Sequence, residues 1–568
     1  MRYRWVIPPP QPLLAESLAR DLNITPLLSQ CLLNRNIDNP EDANRFLEPR
    51  LKYLSDPYLL PNMAEGVERL FFARANAESV VIFGDYDVDG VTSTALLTEV
   101  MRGLGWNVQF YLPHRMDEGY GLSQIAVENC LKKFPAKLIL AVDCGSSSAA
   151  VIDWLNTQGV DVIVLDHHQI GASVPNARAL INPHHGDQRH LRELCSVGLA
   201  FKLAHALLKR GRDLGIAEAF QIDLKLFLDL VALGTVADLV PLTGENRILV
   251  SRGMMQLAES KRTGLIALKE IAQCKQAVGP KEIGFQLAPR LNAAGRLEHA
   301  MEALELLLST DPEVCTSVAQ RLDARNRERQ DIEKRTVKEI LEKISFDPAQ
   351  DFLIVQGHPS WHIGVVGIVA SRVLQEFYRP TIILGGDEDH LRGSGRSVEG
   401  FDLAAALREC SDLLINHGGH AMAAGLSIRP ENVDPFRARM NDIARAKLQS
   451  EQLIPPLRLD AETTLADLTF GQIRELEKIE HCGIGNPPVR FLLRNVHQPR
   501  PLQRVGADKR HVKMWIGDGQ VTREAVWWNA GELALPVGQF DLAFCPELSE
   551  YQDLFTVQLR VLDWRPAQ

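Results

Sequence analysis

Four short runs in the first part of the chain leave little freedom in how it can fold. Val80–Phe83, Val108–Leu112, Leu138–Val142 and Val160–Leu165 are almost continuously apolar. A strand with one wet face alternates apolar and polar residues. A run without alternation is buried on both faces, as in a parallel sheet flanked by helices. Helix-like segments lie between the four runs, so an α/β domain is expected to about residue 260. Open sheets of this kind gather functional groups at the carboxyl ends of their strands. Here Asp85, Asp87 and Asp89 follow the first run, Asp143 the third, and Asp166, His167 and His168 the fourth. Segments distant in sequence would meet at one edge.

Three alternate aspartates at one strand end repel each other, and a divalent cation is the natural counterweight. The pattern Asp85-x-Asp87-x-Asp89-Gly90 also begins a calcium-binding EF-hand loop, but that loop needs an acid at its twelfth position. This chain has Leu96 there, and a strand in front. Asp143 alone would read as a helix cap and His167-His168 as a surface turn. Beside other strand-end acids, both read as metal ligands, with Asp166 orienting the rings. Asp238, in Gly234-Thr235-Val236-Ala237-Asp238, lies in apolar surroundings where an unpaired carboxylate is costly. Cys144 reads as a small buried residue. Carboxylates with one or two imidazoles suit Mn²⁺ or Mg²⁺ better than a closed zinc site. Two such ions would serve an in-line phosphoryl displacement, so phosphoester hydrolysis is the expected chemistry.

The rest of the 568 residues divides by style. Residues 1–70 read as short helices with loops, Asn39-Pro40-Glu41-Asp42 making a helix start. The catalytic α/β domain is assigned to 71–260 and a helical connector to 261–345. Its last part, Arg321–Ile344, has eight basic and six acidic residues and reads as a solvated helix joining two domains. A second, smaller α/β domain is expected over 346–448. It offers the anion-binding segments Arg392-Gly393-Ser394-Gly395-Arg396-Ser397 and Gly418-Gly419-His420. Arg115 and the segment Arg290–Arg296 are further phosphate-binding candidates. Residues 455–568 carry short β-like runs broken by Gly, Asp and Pro, which suggests a small closed barrel such as an OB-fold. Net charge is −10, yet Arg490–Arg523 holds eight Lys/Arg against two Asp/Glu. Basic groups with Trp515, Trp527 and Trp528 describe a groove for single-stranded nucleic acid, the alternative being that the tryptophans are barrel core.

No apolar run reaches the roughly 18 residues of a membrane span, and the first ten residues lack a signal-peptide core. The nine cysteines form no C-x-x-C pair, so neither a disulfide framework nor a zinc–thiolate site is indicated. A cytoplasmic chain is expected.

With these residues assembled, the chain resembles the DHH phosphoesterase superfamily, and within it the RecJ-type single-strand-specific DNA exonucleases. The resemblance rests on Gly84–Gly90, Val142–Gly145, Asp166-His167-His168, Gly234–Asp238, Leu291–Arg296, Trp361–Arg372, Gly393–Ser397, Gly418–Gly425 and Gly483–Pro487. It implies a parallel-sheet DHH domain, a DHHA1-like domain joined by the long helix, and a C-terminal OB-fold. It further implies 5′→3′ digestion of single-stranded DNA to 5′-mononucleotides with Mn²⁺ or Mg²⁺, in recombination and repair. A single-strand DNA-binding protein and a repair helicase are the implied partners, and a monomer is expected. By the same resemblance Asp87, Asp89, Asp143, His167 and Asp238 hold two ions, and His168 contacts the scissile phosphate or a metal. Arg115, Arg296, Ser394, Arg396 and His420 bind the substrate end. Arg504, Lys509, Arg510, Lys513 and Trp527 bind the strand on the barrel. Many superfamily members have a metal-binding histidine where this chain has Phe83, so Asp85 or water is expected to take that place. Two rival readings are a DHH hydrolase of short oligonucleotides or cyclic dinucleotides, and an inactive DNA-binding scaffold. The barrel segment argues against the first and the full set of acids against the second.

Overall fold

A computed structural model describes residues 2–567 apart from 116, 120, 275–277, 345, 480 and 552–553. The first sheet has five parallel strands in the spatial order Val108–Tyr111, Val80–Gly84, Leu138–Val142, Asp161–Leu165, Ala179–Ile181. All four apolar runs are in it, and both faces are buried. Phe83, Ile139 and Val164 pack on one side with the helices Gln124–Lys133 and Ala149–Thr157. Ile82, Leu140 and Ile163 pack on the other with Leu96, Leu203 and Leu233 from three further helices. The strand order reverses beside Val80–Gly84, because the chain moves outward to Val108–Tyr111 and then back to Leu138–Val142.

The expected long helix runs Pro312–Lys343 and links this domain to the second sheet. It is not wholly solvated. Asp323, Asn326, Arg329, Glu333 and Thr336 form a buried polar stripe. Asp323 holds Arg290 at 2.9 Å, and Glu333 pairs with Arg329 at 2.8 Å and Arg372 at 3.0 Å. Charges at helical spacing can face a neighbouring helix as readily as water. The second sheet runs Leu414–Gly419, Ala423–Ile428, Leu391–Arg396, Thr381–Gly386, Ile354–Gly357, with only the last two strands parallel.

The C-terminal sheet has seven strands between Ala461 and Pro566, and a pairing of His497 with Gly517 closes it into a barrel. The N-terminal segment differs from its sequence reading in two ways. Arg4–Val6 is a strand, paired in parallel with Pro456–Arg458. The helices that follow share the barrel's core, where Leu28, Leu32 and Phe46 meet Phe491 and Met514. Leu60, Met63 and Leu70 instead join the first domain. Helix-forming patterns show that a face is apolar, not what will cover it. Among the described residues no helix is long and apolar enough to cross a membrane.

Candidate active site

Strand-order reversal opens a crevice at the carboxyl ends of Val80–Gly84 and Leu138–Val142, and the acids enter it from both. Gly90 lets the first segment turn: a Cβ there would lie 2.5 Å from the Asp85 carbonyl oxygen, so only glycine fits. Asp87 caps the helix Val88–Gly103, its Oδ1 accepting N–H bonds from Asp89 at 2.9 Å and Gly90 at 3.1 Å. Asp89 reaches the N-terminus of the helix Ser196–Asp213. Its Oδ2 accepts the Ser196 N–H at 2.7 Å and its Oδ1 the Val197 N–H at 2.8 Å.

Asp143 sits in the left-handed region at φ 63°. Its Oδ1 lies 3.5 Å from His167 Nε2 and 4.0 Å from His168 Nδ1, and His167 Nε2 is 3.6 Å from Asp238 Oδ2. Asp166 stays behind them. Its Oδ1 faces His168 Nδ1 at 2.8 Å and accepts the His168 backbone N–H at 3.1 Å, while Oδ2 accepts the Ser146 N–H at 3.0 Å. Three groups offer atoms within 4.8 Å of one another: Asp85, Asp87, Asp143; Asp143, His167, His168; and Asp89, Cys195, Asp238. Asp143 belongs to two of them.

The electrostatics of this cluster call for a cation. Burial, reinforced by Asp89, Asp87, Asp85 and Asp238, pushes Asp143 well above the carboxylate range. Asp89 rises to about 7 through burial and Asp87, and Asp238 to about 9 through burial, Asp89 and Asp87. Burial, then His168, lowers His167 to about 4. Burial alone would lower His168 too, but the Asp166 carboxylate raises it to about 9. Among the described residues, Asp85 Oδ1, His167 Nε2 and Asp238 Oδ2 are buried with no hydrogen-bond partner. Orphaned acceptors in a nest of repelling acids fit a Mn²⁺ or Mg²⁺ site. Phe83, fully buried and stacked on Tyr111 with ring centroids 5.5 Å apart, contributes nothing to it.

Beside the acids lies a basic recess where the two α/β domains meet. Arg296 Nη1 donates to the Gly364 carbonyl at 3.2 Å, just ahead of the helix Val366–Phe377. A Cβ on Gly367 in that helix's first turn would come 3.1 Å from Ser394 Oγ and 3.2 Å from Arg396 Nη2. Ser394 Oγ accepts from Arg396 Nη1 at 2.9 Å. Arg115 lies over the Tyr86 ring, 5.1 Å from its centroid. Among the described residues Arg115, Arg296 and Arg396 form no ion pair, whereas Arg290 is held by Asp323. Burial, Arg115 and Arg329 lower Arg296 to about 10, so this is a crowd of cations awaiting an anion. His420 is exposed in the hairpin turn after Leu414–Gly419, without a side-chain hydrogen bond to Ser394 or Arg396 among the described residues.

On the barrel, Trp527 does not offer a stacking face. Its strand pairs it with Val512, so it points inward and is 4% exposed, while Trp528 is 52% exposed. The strand Thr522–Trp527 ends at the buried ring, and Trp528 begins the turn beyond it. Trp515 lies on the outer face with Arg500 and Lys513 5.7 and 5.8 Å from its ring centroid. Arg510 pairs with Asp508 at 2.7 Å and Lys513 with Glu524 at 2.6 Å, Arg504 bonds the Gly531 carbonyl, and Lys509 is exposed.

Two residues have roles that the sequence reading did not give them. Asn292 accepts the Val88 N–H at 3.2 Å, tying the Leu291–Arg296 segment to the aspartate turn. Ser196 carries no motif, only a place at a helix start.

Known proteins agree with this architecture. Residues 79–235 match the model of the DHH family N-terminal domain, 350–446 the DHHA1 domain and 459–563 the RecJ OB domain. The strand-end cluster is thus set in a DHH-type domain. A single-stranded-DNA-specific exonuclease RecJ of Dickeya dadantii is 38% identical over 91% of this chain and 92% of its own length. The crystal structure of Thermus thermophilus RecJ with Mn²⁺ superposes with a TM-score of 0.86 at 29% identity, covering 100% of this chain and 80% of that one. The same protein with Mg²⁺ gives 0.77 at 27% identity, covering 100% and 79%. The chain belongs to the RecJ family.

Proposed function

We propose that this chain is a single-strand-specific DNA exonuclease that hydrolyses phosphodiester bonds from the 5′ end and releases 5′-mononucleotides. Asp87, Asp89, Asp143, His167 and Asp238, with Asp85, would hold two Mn²⁺ or Mg²⁺ ions. When bound, such ions supply a hydroxide near neutral pH and offset phosphoryl charge. Asp166 raises the basicity of His168, whose ring would donate to the scissile phosphate. The observation that carries the reading is the unpaired basic recess beside the acids. Arg296, Ser394 and Arg396, with Arg115, would grip a terminal phosphate and so fix which end of a strand enters. His420, in the hairpin next to the strand that carries Arg396, would contribute to the same phosphate site. Arg504, Lys509, Arg510 and Lys513, with Trp515 and Trp528, would hold the strand on the barrel. The enzyme would act as a cytoplasmic monomer in DNA recombination and repair, alongside a single-strand DNA-binding protein and a helicase.

Digestion of 5′- and 3′-labelled single strands, with Mn²⁺ and with EDTA, tests this directly. The 5′ label should appear first, as mononucleotide, and only with metal. Earlier loss of the 3′ label, or digestion in EDTA, would overturn it.

A further inference from the structure

Ser196 hydrogen-bonds two acids that follow different strands. Its backbone N–H binds Asp89 Oδ2 at 2.7 Å, and its Oγ–H binds Asp143 Oδ1 at 2.8 Å. It is fully buried, as are both acids. The amide bond is available to any residue at this helix start, but the hydroxyl bond is not. Asp143 has particular need of it, being held at a strained φ of 63° with four carboxylates around it.

We infer that Ser196 is a positioning residue for the metal centre: its hydroxyl fixes the rotation of the Asp143 carboxylate and occupies one lone pair, leaving the others for the cation. Without it the Asp143 carboxylate answers to the acids that repel it and to His167 Nε2 and His168 Nδ1 at 3.5 and 4.0 Å. The Ser196 bond holds the carboxylate before any cation arrives. It therefore acts on metal affinity as well as contributing one buried hydrogen bond to the fold.

The inference rests on the proposed metal role of Asp143, and the test separates the two. Mn²⁺ binding to the full chain is measured by titration calorimetry for the unaltered protein, Ser196→Ala and Asp143→Ala, with melting temperatures taken in EDTA. Ser196→Ala should bind Mn²⁺ about tenfold more weakly, the loss expected for one hydrogen bond to a charged group, while keeping a cooperative melt in EDTA. Unaltered Mn²⁺ affinity, whatever the melting temperature, would make the hydroxyl merely structural and overturn the inference. Unaltered affinity in Asp143→Ala would instead overturn the metal assignment itself.

Discussion

Asp143 and its neighbours make the metal-free protein sensitive to pH in a calculable direction. A group whose pKa is higher in the folded than in the unfolded chain stabilises the fold while protonated, and that contribution is lost as pH rises through the folded value. Asp89 at about 7, Asp238 at about 9 and His168 at about 9 are all raised above their ordinary values. His167, lowered to about 4, acts in the opposite sense, but only below its ordinary 6.5. Between pH 6.5 and 9 the balance therefore has one sign. The melting temperature in EDTA should fall across that window, and saturating Mn²⁺ should flatten the fall by supplying the charge that protons supplied. A melting temperature that rises with pH in EDTA would contradict the cluster's electrostatics.

Elements show why some of this was legible in the sequence and some was not. The apolar runs announced the first sheet because burial on both faces leaves no other composition available to a strand. Their carboxyl ends then located Asp85–Asp89, Asp143 and Asp166–His168 together. Trp527 and Trp528 show the limit. Both belong to a basic, aromatic segment, and only the pairing of Val512 with Trp527 decides which ring faces inward. Sequence alternation in a short strand does not fix that phase. The consequence is measurable. Trp528→Ala should weaken binding of a long single strand roughly tenfold, the loss of one base-stacking platform. Trp527→Ala should instead cost about 3–5 kcal/mol of stability, the price of emptying a core site. Reversed effects would restore Trp527 as a DNA contact. Ser196 was illegible for a different reason: its partners come from two other strands, and no local pattern records them.

At the scale of the molecule the barrel is joined to the rest by more than a linker. The loop Gly483–Gly485 lies on the turn that follows Asp238: the Leu242 N–H donates to the Ile484 carbonyl at 2.7 Å. Gly485, at φ 74°, comes so close that a Cβ would lie 2.9 Å from Pro241. Arg247, from the first domain, bonds the carbonyls of Phe46 at 2.8 Å and Lys478 at 3.1 Å. Removing residues 455–568 would strip the cover from Leu28, Leu32 and Phe46 as well as a DNA grip. Such a truncation should yield aggregated protein or protein without a cooperative melt, and not a catalytic domain with weakened strand binding. A soluble, active truncation would show that the N-terminal helices fold without the barrel.

The parallel pairing of Arg4–Val6 with Pro456–Arg458 bears on how the protein is made. Trp5 Nε1 donates to Asp563 Oδ2, a partner 558 positions away. Domains generally fold in the order in which the ribosome releases them, and the first sheet is complete by Ile181. The opening helices cannot follow that order. Their apolar faces stay without their final neighbours until the barrel emerges. Early translation products are therefore where chaperone engagement and misassembly should concentrate.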